Sequence, residues 1–135
     1  MRYIFFILVF LSAVGLVYAQ HTGKKAYTAT IDEDGVQRIE MTGGEYYFEP
    51  DHIIVTVNKP VALTVKKEPG IVPHNIVINA PEAGMNVRTK LANDAQVIMF
   101  TPIKIGTYPF ICDKKFLFFK SHDEKGMKGV IEVIE

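Results

Sequence analysis

The sequence predicts an all-β protein: a Greek-key antiparallel sandwich of two sheets, with a short irregular or helical insert. Short runs rich in β-branched and aromatic residues recur along the chain, and Gly, Pro and Asn separate them. No long stretch has helical periodicity. With 135 residues, of which 48% are hydrophobic, the chain is long enough to bury the core of one domain.

Residues 1–19 are interpreted as a signal peptide rather than as part of the fold. Arg2 precedes an apolar run over residues 3–17, and Ala19 ends a small-residue cleavage signal. The run is shorter than the roughly 20 apolar residues that span a membrane, and an uncleaved anchor is the alternative. We therefore expect one domain over residues 20–135 and a periplasmic or otherwise exported protein.

Turn residues divide the first half of this domain into strands. The turn over residues 32–35 makes the first two strands a hairpin, and Gly43 and Gly44 are expected to end the second. The strands predicted in this half are residues 25–31, 36–42, 53–57, 61–65 and 74–79.

The second half is expected to contain three more strands and two less regular segments. Over residues 80–93 the apolar pattern weakens, and Pro81 and Gly84 suggest a long, partly irregular connection. In the segment 113–121, Asp113 is positioned to cap one or two helical turns. The strands predicted here are residues 96–101, 106–112 and 129–134.

The residues that indicate chemistry lie at the ends of these strands. Cys112 is the only cysteine, and an unpaired thiol in an exported protein is either buried and inert or bound to a metal. His74 starts one strand, while His122 and Met127 precede the last. Two imidazoles, a thiolate and a weak thioether are the ligand set of an electron-transfer copper site. The sequence therefore predicts one copper ion held by His74, Cys112, His122 and Met127.

Other side chains are weaker candidates for the metal. Met85 is the alternative sulfur donor and Glu45 is an alternative oxygen donor. Met41, Met85 and Met99 are otherwise expected to be packing residues.

Several segments resemble those of the cupredoxins, the family of plastocyanin and azurin. The segments are FEPDHIIVTV, VPHN, GTYPFIC and GMKG, and the resemblance extends over nearly all of the domain 20–135. It implies a type 1-like Cu(I)/Cu(II) site with His74, Cys112 and His122 as equatorial ligands and Met127 as the axial ligand. It also implies that Asn75 braces the ligand loops by hydrogen bonding.

The loop between Cys112 and His122 departs from the family pattern. Nine residues intervene, where plastocyanin-like sites usually have only a few. The spacing leaves open whether the site is blue, green or red. Four consecutive apolar residues, 116–119, either cover the copper or form a docking patch around an exposed edge of His122.

The resemblance implies a non-enzymatic carrier of single electrons. Its partners would be redox proteins such as a cytochrome or a membrane oxidase or reductase. A copper-binding carrier or resistance protein is one alternative, and an oxidase accessory subunit is another, although a binuclear oxidase-type site needs a second cysteine. With 15 basic and 15 acidic residues and no basic block, no nucleic-acid partner is expected, and neither is stable membrane insertion after signal cleavage.

Overall fold

The computed structural model describes residues 25–135, and these form a sandwich of two β-sheets. The first sheet has the strand order β1-β5-β11-β10-β7-β8, and the second has the order β2-β3-β6-β9, with β4 paired to β3. The predicted all-β sandwich is confirmed. The strands are β1 Tyr27–Thr28, β2 Thr30–Ile31, β3 Gln37–Gly44, β4 Tyr47–Glu49, β5 His52–Thr56, β6 Val61–Lys67, β7 Asn75–Ala80, β8 Met85–Lys90, β9 Gln96–Phe100, β10 Gly106–Ile111 and β11 Lys128–Ile134.

The pairing within both sheets is mixed, whereas the sequence suggested antiparallel pairing throughout. Three pairs are parallel: β1 with β5, β5 with β11, and β3 with β6. The cause lies in the connections. From β5 to β7 the chain passes from the first sheet to the second and back. Strands therefore pair with partners distant in the sequence, and such partners can run in the same direction.

The predicted strand over residues 25–31 divides between the two sheets. β1 joins the first sheet through β5, while β2 joins the second through β3. Ala29 lies between the two pieces and donates its N–H to the carbonyl of Ile54 at 2.9 Å. The predicted hairpin is confirmed, since Thr30 pairs with Arg38 in antiparallel fashion.

The prediction that Gly43 and Gly44 end a strand is wrong. β3 continues through both residues, and Gly43 pairs with Phe48 of β4. A Cβ on Gly43 would lie 2.6 Å from Leu91 Cδ1 and 3.4 Å from Met127 Cε. Glycine therefore serves close packing at this position rather than a turn.

The expectation of an irregular connection over residues 80–93 is also wrong. A single 3-10 turn, Pro81–Ala83, leads into β8, which pairs with β7 along its whole length. Met85 and Val87 are buried, while their neighbours Asn86 and Arg88 are exposed. This alternation of buried and exposed residues is short and directly follows Pro81 and Gly84. These two turn residues made the segment look irregular in the sequence.

The methionines expected to pack differ in their surroundings. Met41 and Met85 are buried in the core, whereas Met99 is 57% exposed. The packing prediction is therefore wrong for Met99. Its strand, β9, pairs with β6 alone among residues 25–135 and is an edge strand of its sheet.

Three strands of the first sheet converge on one end of the sandwich. β7 begins just after His74, β10 ends just before Cys112, and β11 begins just after Met127. Since β10 is antiparallel to both β7 and β11, the start of β7, the end of β10 and the start of β11 lie at the same end of the sheet. The predicted signal segment, residues 1–19, lies outside the described residues. The described part of the chain contains no helix with the length and apolar character that a bilayer crossing requires.

The contact between β10 and β11 can be tested at Gly129. A Cβ there would lie 2.3 Å from the carbonyl oxygen of Asp51 and 2.3 Å from Phe110 Cζ. We expect Gly129→Ala to lower the free energy of unfolding by about 1–3 kcal/mol in urea denaturation, because overpacking strains the sheet. Thr107→Ala, at an exposed position of β10, is the control and is expected to cost less than about 1 kcal/mol. Equal, small effects would contradict the close approach.

Candidate metal centre

Three potential metal-ligating side chains meet at this end of the sandwich. The Nδ1 atoms of His74 and His122 are 3.1 Å apart, and Cys112 Sγ lies 3.4 Å from His122 Nδ1 and 4.0 Å from His74 Nδ1. A trigonal ion with bonds of about 2.0 Å to nitrogen and about 2.3 Å to sulfur separates its donors by roughly 3.5–3.7 Å. The spacing of the three donor atoms therefore fits one transition-metal ion.

These donors are shielded from water. Cys112 is 0% exposed, His74 3% and His122 5%. Burial, followed by the charges of His122 and Lys67, lowers the pKa of His74 to about 4. Burial also lowers the pKa of His122. Both imidazoles are consequently neutral near pH 7, which is the form that binds a metal.

The environment of Cys112 would favour a thiolate only with a cation nearby. Burial raises the pKa of the thiol, and the backbone N–H of Asn75, which points at Sγ from 3.4 Å, opposes that shift. A bound metal ion would supply the missing positive charge, and metal binding would then release the thiol proton.

Asn75 ties the His74 segment to the Cys112 segment. Its Nδ2 donates to Asp113 Oδ1 at 2.7 Å, and its Oδ1 accepts from the Asp113 N–H at 3.1 Å. Arg88 Nη1 donates to the other oxygen of Asp113 at 2.6 Å. The Asn75 bond and then the Arg88 bond lower the pKa of Asp113. These contacts provide the bracing that the resemblance implies.

The segment 113–121 forms no helix, so the expectation of capped helical turns is wrong and the irregular alternative is right. The carboxylate of Asp113, predicted as a helix cap, is engaged by Asn75 and Arg88 instead.

Backbone hydrogen bonds hold the loop that carries the remaining candidates. The Cys112 N–H donates to the Met127 carbonyl at 3.0 Å, and the Met127 N–H donates to the His122 carbonyl at 2.9 Å. The Met127 side chain is fully buried, with its methyl group toward Gly43. The loop thus keeps the backbone of Met127 beside Cys112.

The alternative donors lie elsewhere. Met85 pairs with Ala80 at the end of β7 opposite to His74. Glu45 is exposed, and the buried metal-ligating group of the described residues does not include it.

Tyr46 is a residue of the site that the sequence did not reveal. Its ring meets the His122 ring edge-to-face, with centroids 5.0 Å apart, and lies 6.4 Å from the His74 ring. Lys125 Nζ lies 4.3 Å from the Tyr46 ring centroid and donates to its hydroxyl at 3.2 Å. Tyr46 therefore packs against both candidate imidazoles, a role that no spacing or motif in the sequence indicated.

A groove of about 500 Å³ opens beside His122. Tyr46 and Pro73 line it on the sandwich, and Phe116 and Phe119 line it on the nine-residue insert. Phe118 is 85% exposed, so this ring does not cover the centre.

The comparisons with known proteins agree with this geometry. The family model described as a cupredoxin-like domain matches residues 5–133. The chain belongs to this family. Both the family and the His-Cys-His donor group indicate copper as the cofactor. The comparison with curated proteins finds no significant match.

Similar solved structures include three kinds of protein. Auracyanin from Roseiflexus castenholzii has 25% identity and a TM-score of 0.58, over 79% of this chain and 99% of auracyanin. The metal-binding domain of the Streptococcus pneumoniae Cu(I)-exporting ATPase CopA has 22% identity and a TM-score of 0.62, over 82% and 97%. The periplasmic domain of cytochrome oxidase subunit II from Bradyrhizobium japonicum has 19% identity and a TM-score of 0.52, over 73% and 83%. The last two show the fold alone.

The brace between the two ligand segments generates a stability prediction. We expect Asn75→Ala to lower the free energy of unfolding by about 1–3 kcal/mol, because it leaves partly buried groups of Asp113 without their partner. Arg88→Ala is the matched control. It removes an ion pair whose arginine side chain is 66% exposed, and should cost less than about 1 kcal/mol. Urea denaturation of the metal-free proteins measures both, and the reverse order would contradict the assigned brace.

Proposed function

We propose that this protein is an exported one-electron carrier in which His74, Cys112 and His122 hold one copper ion and Met127 is a weak fourth ligand. One observation carries the proposal: three buried donors, two nitrogens and a sulfur, converge at distances suited to a single ion. The donor set matches the ligands that copper accepts in both of its oxidation states.

Copper, when bound, supplies a Cu(I)/Cu(II) couple that takes up and releases one electron. The chain contributes a fixed set of ligand positions. The hydrogen bonds of Asn75 and the backbone of the Cys112–Met127 loop oppose movement of the donors when the charge changes. The Asn75 N–H draws electron density from Cys112 Sγ, and burial excludes water. Fixed donors and the exclusion of water favour electron transfer with little rearrangement, while the Asn75 N–H would tune the reduction potential.

His122 is the proposed point of electron entry and exit. It is the candidate ligand that lines the groove beside the insert. A redox protein, such as a cytochrome or a membrane oxidase or reductase, would approach there. Electron-transfer encounters use small and weak interfaces, so a groove of this size is sufficient.

Two other functions fit the chain less well. One alternative is a copper carrier, which the similarity to the metal-binding domain of the Streptococcus pneumoniae exporter suggests. A carrier exchanges its metal and is better served by exposed ligands. The donors here are at most 5% exposed. A binuclear oxidase-type centre needs a second cysteine, and this chain has one. An enzyme would need an open ligand position, which Met127 would occupy.

Cys112 gives the first test of this function. We expect the oxidised, copper-loaded protein to show an intense visible band from thiolate-to-Cu(II) charge transfer, and Cys112→Ala to abolish it. Far-ultraviolet circular dichroism should show that the sandwich stays folded. If the Cys112→Ala protein keeps an intense visible band, the assignment of the sulfur ligand is wrong.

Met127 gives the second test. We expect Met127→Leu to retain copper and to raise the reduction potential measured by voltammetry, because a donor that favours Cu(II) is lost. Met85→Leu is the matched control. Met85 is equally buried but starts β8, where it pairs with the end of β7 opposite to His74. A potential that changes with Met85→Leu and not with Met127→Leu would contradict the axial assignment.

A further inference from the structure

The nine-residue insert, 113–121, makes a tight turn in its middle with unusual corner residues. The Phe119 N–H donates to the Phe116 carbonyl at 3.0 Å, so Leu117 and Phe118 occupy the corners. Leu117 has a φ of 48°, in the left-handed region that suits Gly or Asn. Folding alone does not account for large apolar side chains at such corners. Backbone strain of this kind directs attention to function.

These side chains form a protruding apolar surface. Phe116, Leu117, Phe118 and Phe119 are 67%, 68%, 85% and 52% exposed. The rings are stacked on one another, with centroids 6.1 Å apart for Phe116 and Phe119 and 5.1 Å apart for Phe118 and Phe119. Ile71, which is fully exposed, lines the same groove from a neighbouring loop. Contiguous apolar surface of this kind marks an interaction site.

Basic residues flank this apolar turn on both sides. Lys114 and Lys115 precede it and Lys120 follows it, and the segment 114–120 contains no carboxylate. The ion pairs found in residues 25–135 include none of these three lysines. Acidic residues adjoin the segment at both ends: Asp113 before it, and Asp123 and Glu124 after it. Asp113 accepts hydrogen bonds from Asn75 and Arg88, and Glu124 accepts them from the N–H and hydroxyl of Ser121.

We propose that the segment Lys114–Lys120 is a lipid-binding loop that seats its four apolar side chains in the interface of an anionic bilayer. Apolar side chains on one surface with lysines around them are the pattern that adsorbs to such interfaces. Each lysine near anionic headgroups adds attraction, and its aliphatic stem tolerates the apolar boundary. The corner residues Leu117 and Phe118 are exposed and do not line the groove beside His122. A bilayer accepts such protruding side chains without a shaped pocket, which favours lipid over a protein partner for this turn.

This adsorption is peripheral and reversible, so it requires no spanning segment. It does not depend on copper either, and it goes beyond the proposed function. Where that function also holds, the loop would orient the groove beside His122 toward the membrane surface, and the electron partner would then be membrane-bound.

A fluorescent reporter tests the proposal locally. The chain contains no tryptophan, so Phe118→Trp introduces a single one at the turn. We expect vesicles of phosphatidylglycerol to shift the emission of copper-loaded, full-length Phe118→Trp protein to shorter wavelength, and lipids brominated on the acyl chains to quench it. Phosphatidylcholine vesicles or added salt should weaken the partition at least about tenfold, because both remove the charge attraction.

Ile105→Trp is the matched control. Ile105 is 50% exposed and lies just before β10, at the end of that strand opposite to Cys112. Its emission should not change with vesicles. Because each reporter senses its own surroundings, adsorption through the amino-terminal segment does not imitate insertion of the turn. Equal shifts at both positions, or no shift at Phe118→Trp with phosphatidylglycerol, would overturn the proposal. A turn whose emission responds only to a redox protein would be a protein-docking site instead, which also overturns it.

A second pair of variants removes the apolar surface. We expect Phe118→Ser/Phe119→Ser to lower binding to phosphatidylglycerol vesicles at least about tenfold in a flotation assay. Ile103→Ser/Ile105→Ser, which removes two exposed apolar residues before β10, should leave it unchanged. The metal-free, unmodified protein should also bind as the copper-loaded protein does. Loss of vesicle binding on removal of copper would contradict a copper-independent loop, whereas the visible band reports on the metal centre alone.

Discussion

The backbone pairing of Cys112 with Met127 is the constraint on which the rest of the centre depends. The Cys112 N–H donates to the Met127 carbonyl at 3.0 Å, which extends the β10–β11 ladder by one step beyond the pair Ile111–Lys128. The sheet therefore fixes both ends of the loop that carries His122. Within this loop, the His122 N–H donates a hydrogen bond to the Lys114 carbonyl at 2.9 Å. The chain between these two residues can lengthen outward without moving the donors, which explains how nine residues are accommodated.

The candidate site could be predicted from the sequence because its members stand beside strands. His74 and Cys112 adjoin strand-forming runs with clear turn signals, and the residue types themselves suggest copper. Parallel pairing could not be predicted, because it depends on which sheet each connection enters. β8 was missed because its short alternation follows Pro81 and Gly84. The prediction for Gly43 was wrong because glycine is needed there to make room for Leu91, and this contact exists only in the folded chain.

Residues that support the donors were also beyond the reach of sequence patterns. Tyr46 lies between β3 and β4, far from His122 in the sequence, and only the sandwich brings their rings to 5.0 Å. Arg88 lies on β8, a strand that the sequence did not indicate, and it reaches Asp113 because β8 pairs with β7. Such contacts follow from tertiary packing, so a local motif does not encode them. Together they fix the ligand segments from two sides.

The central claim is that His74, Cys112 and His122 bind one copper ion in a buried site. Copper X-ray absorption on the oxidised, copper-loaded protein, combined with its metal content, tests this claim most directly. We expect one copper per chain, with two nitrogen neighbours and one sulfur at a short, thiolate-type distance. A copper environment of nitrogen and oxygen atoms alone, with no short sulfur distance, would contradict it.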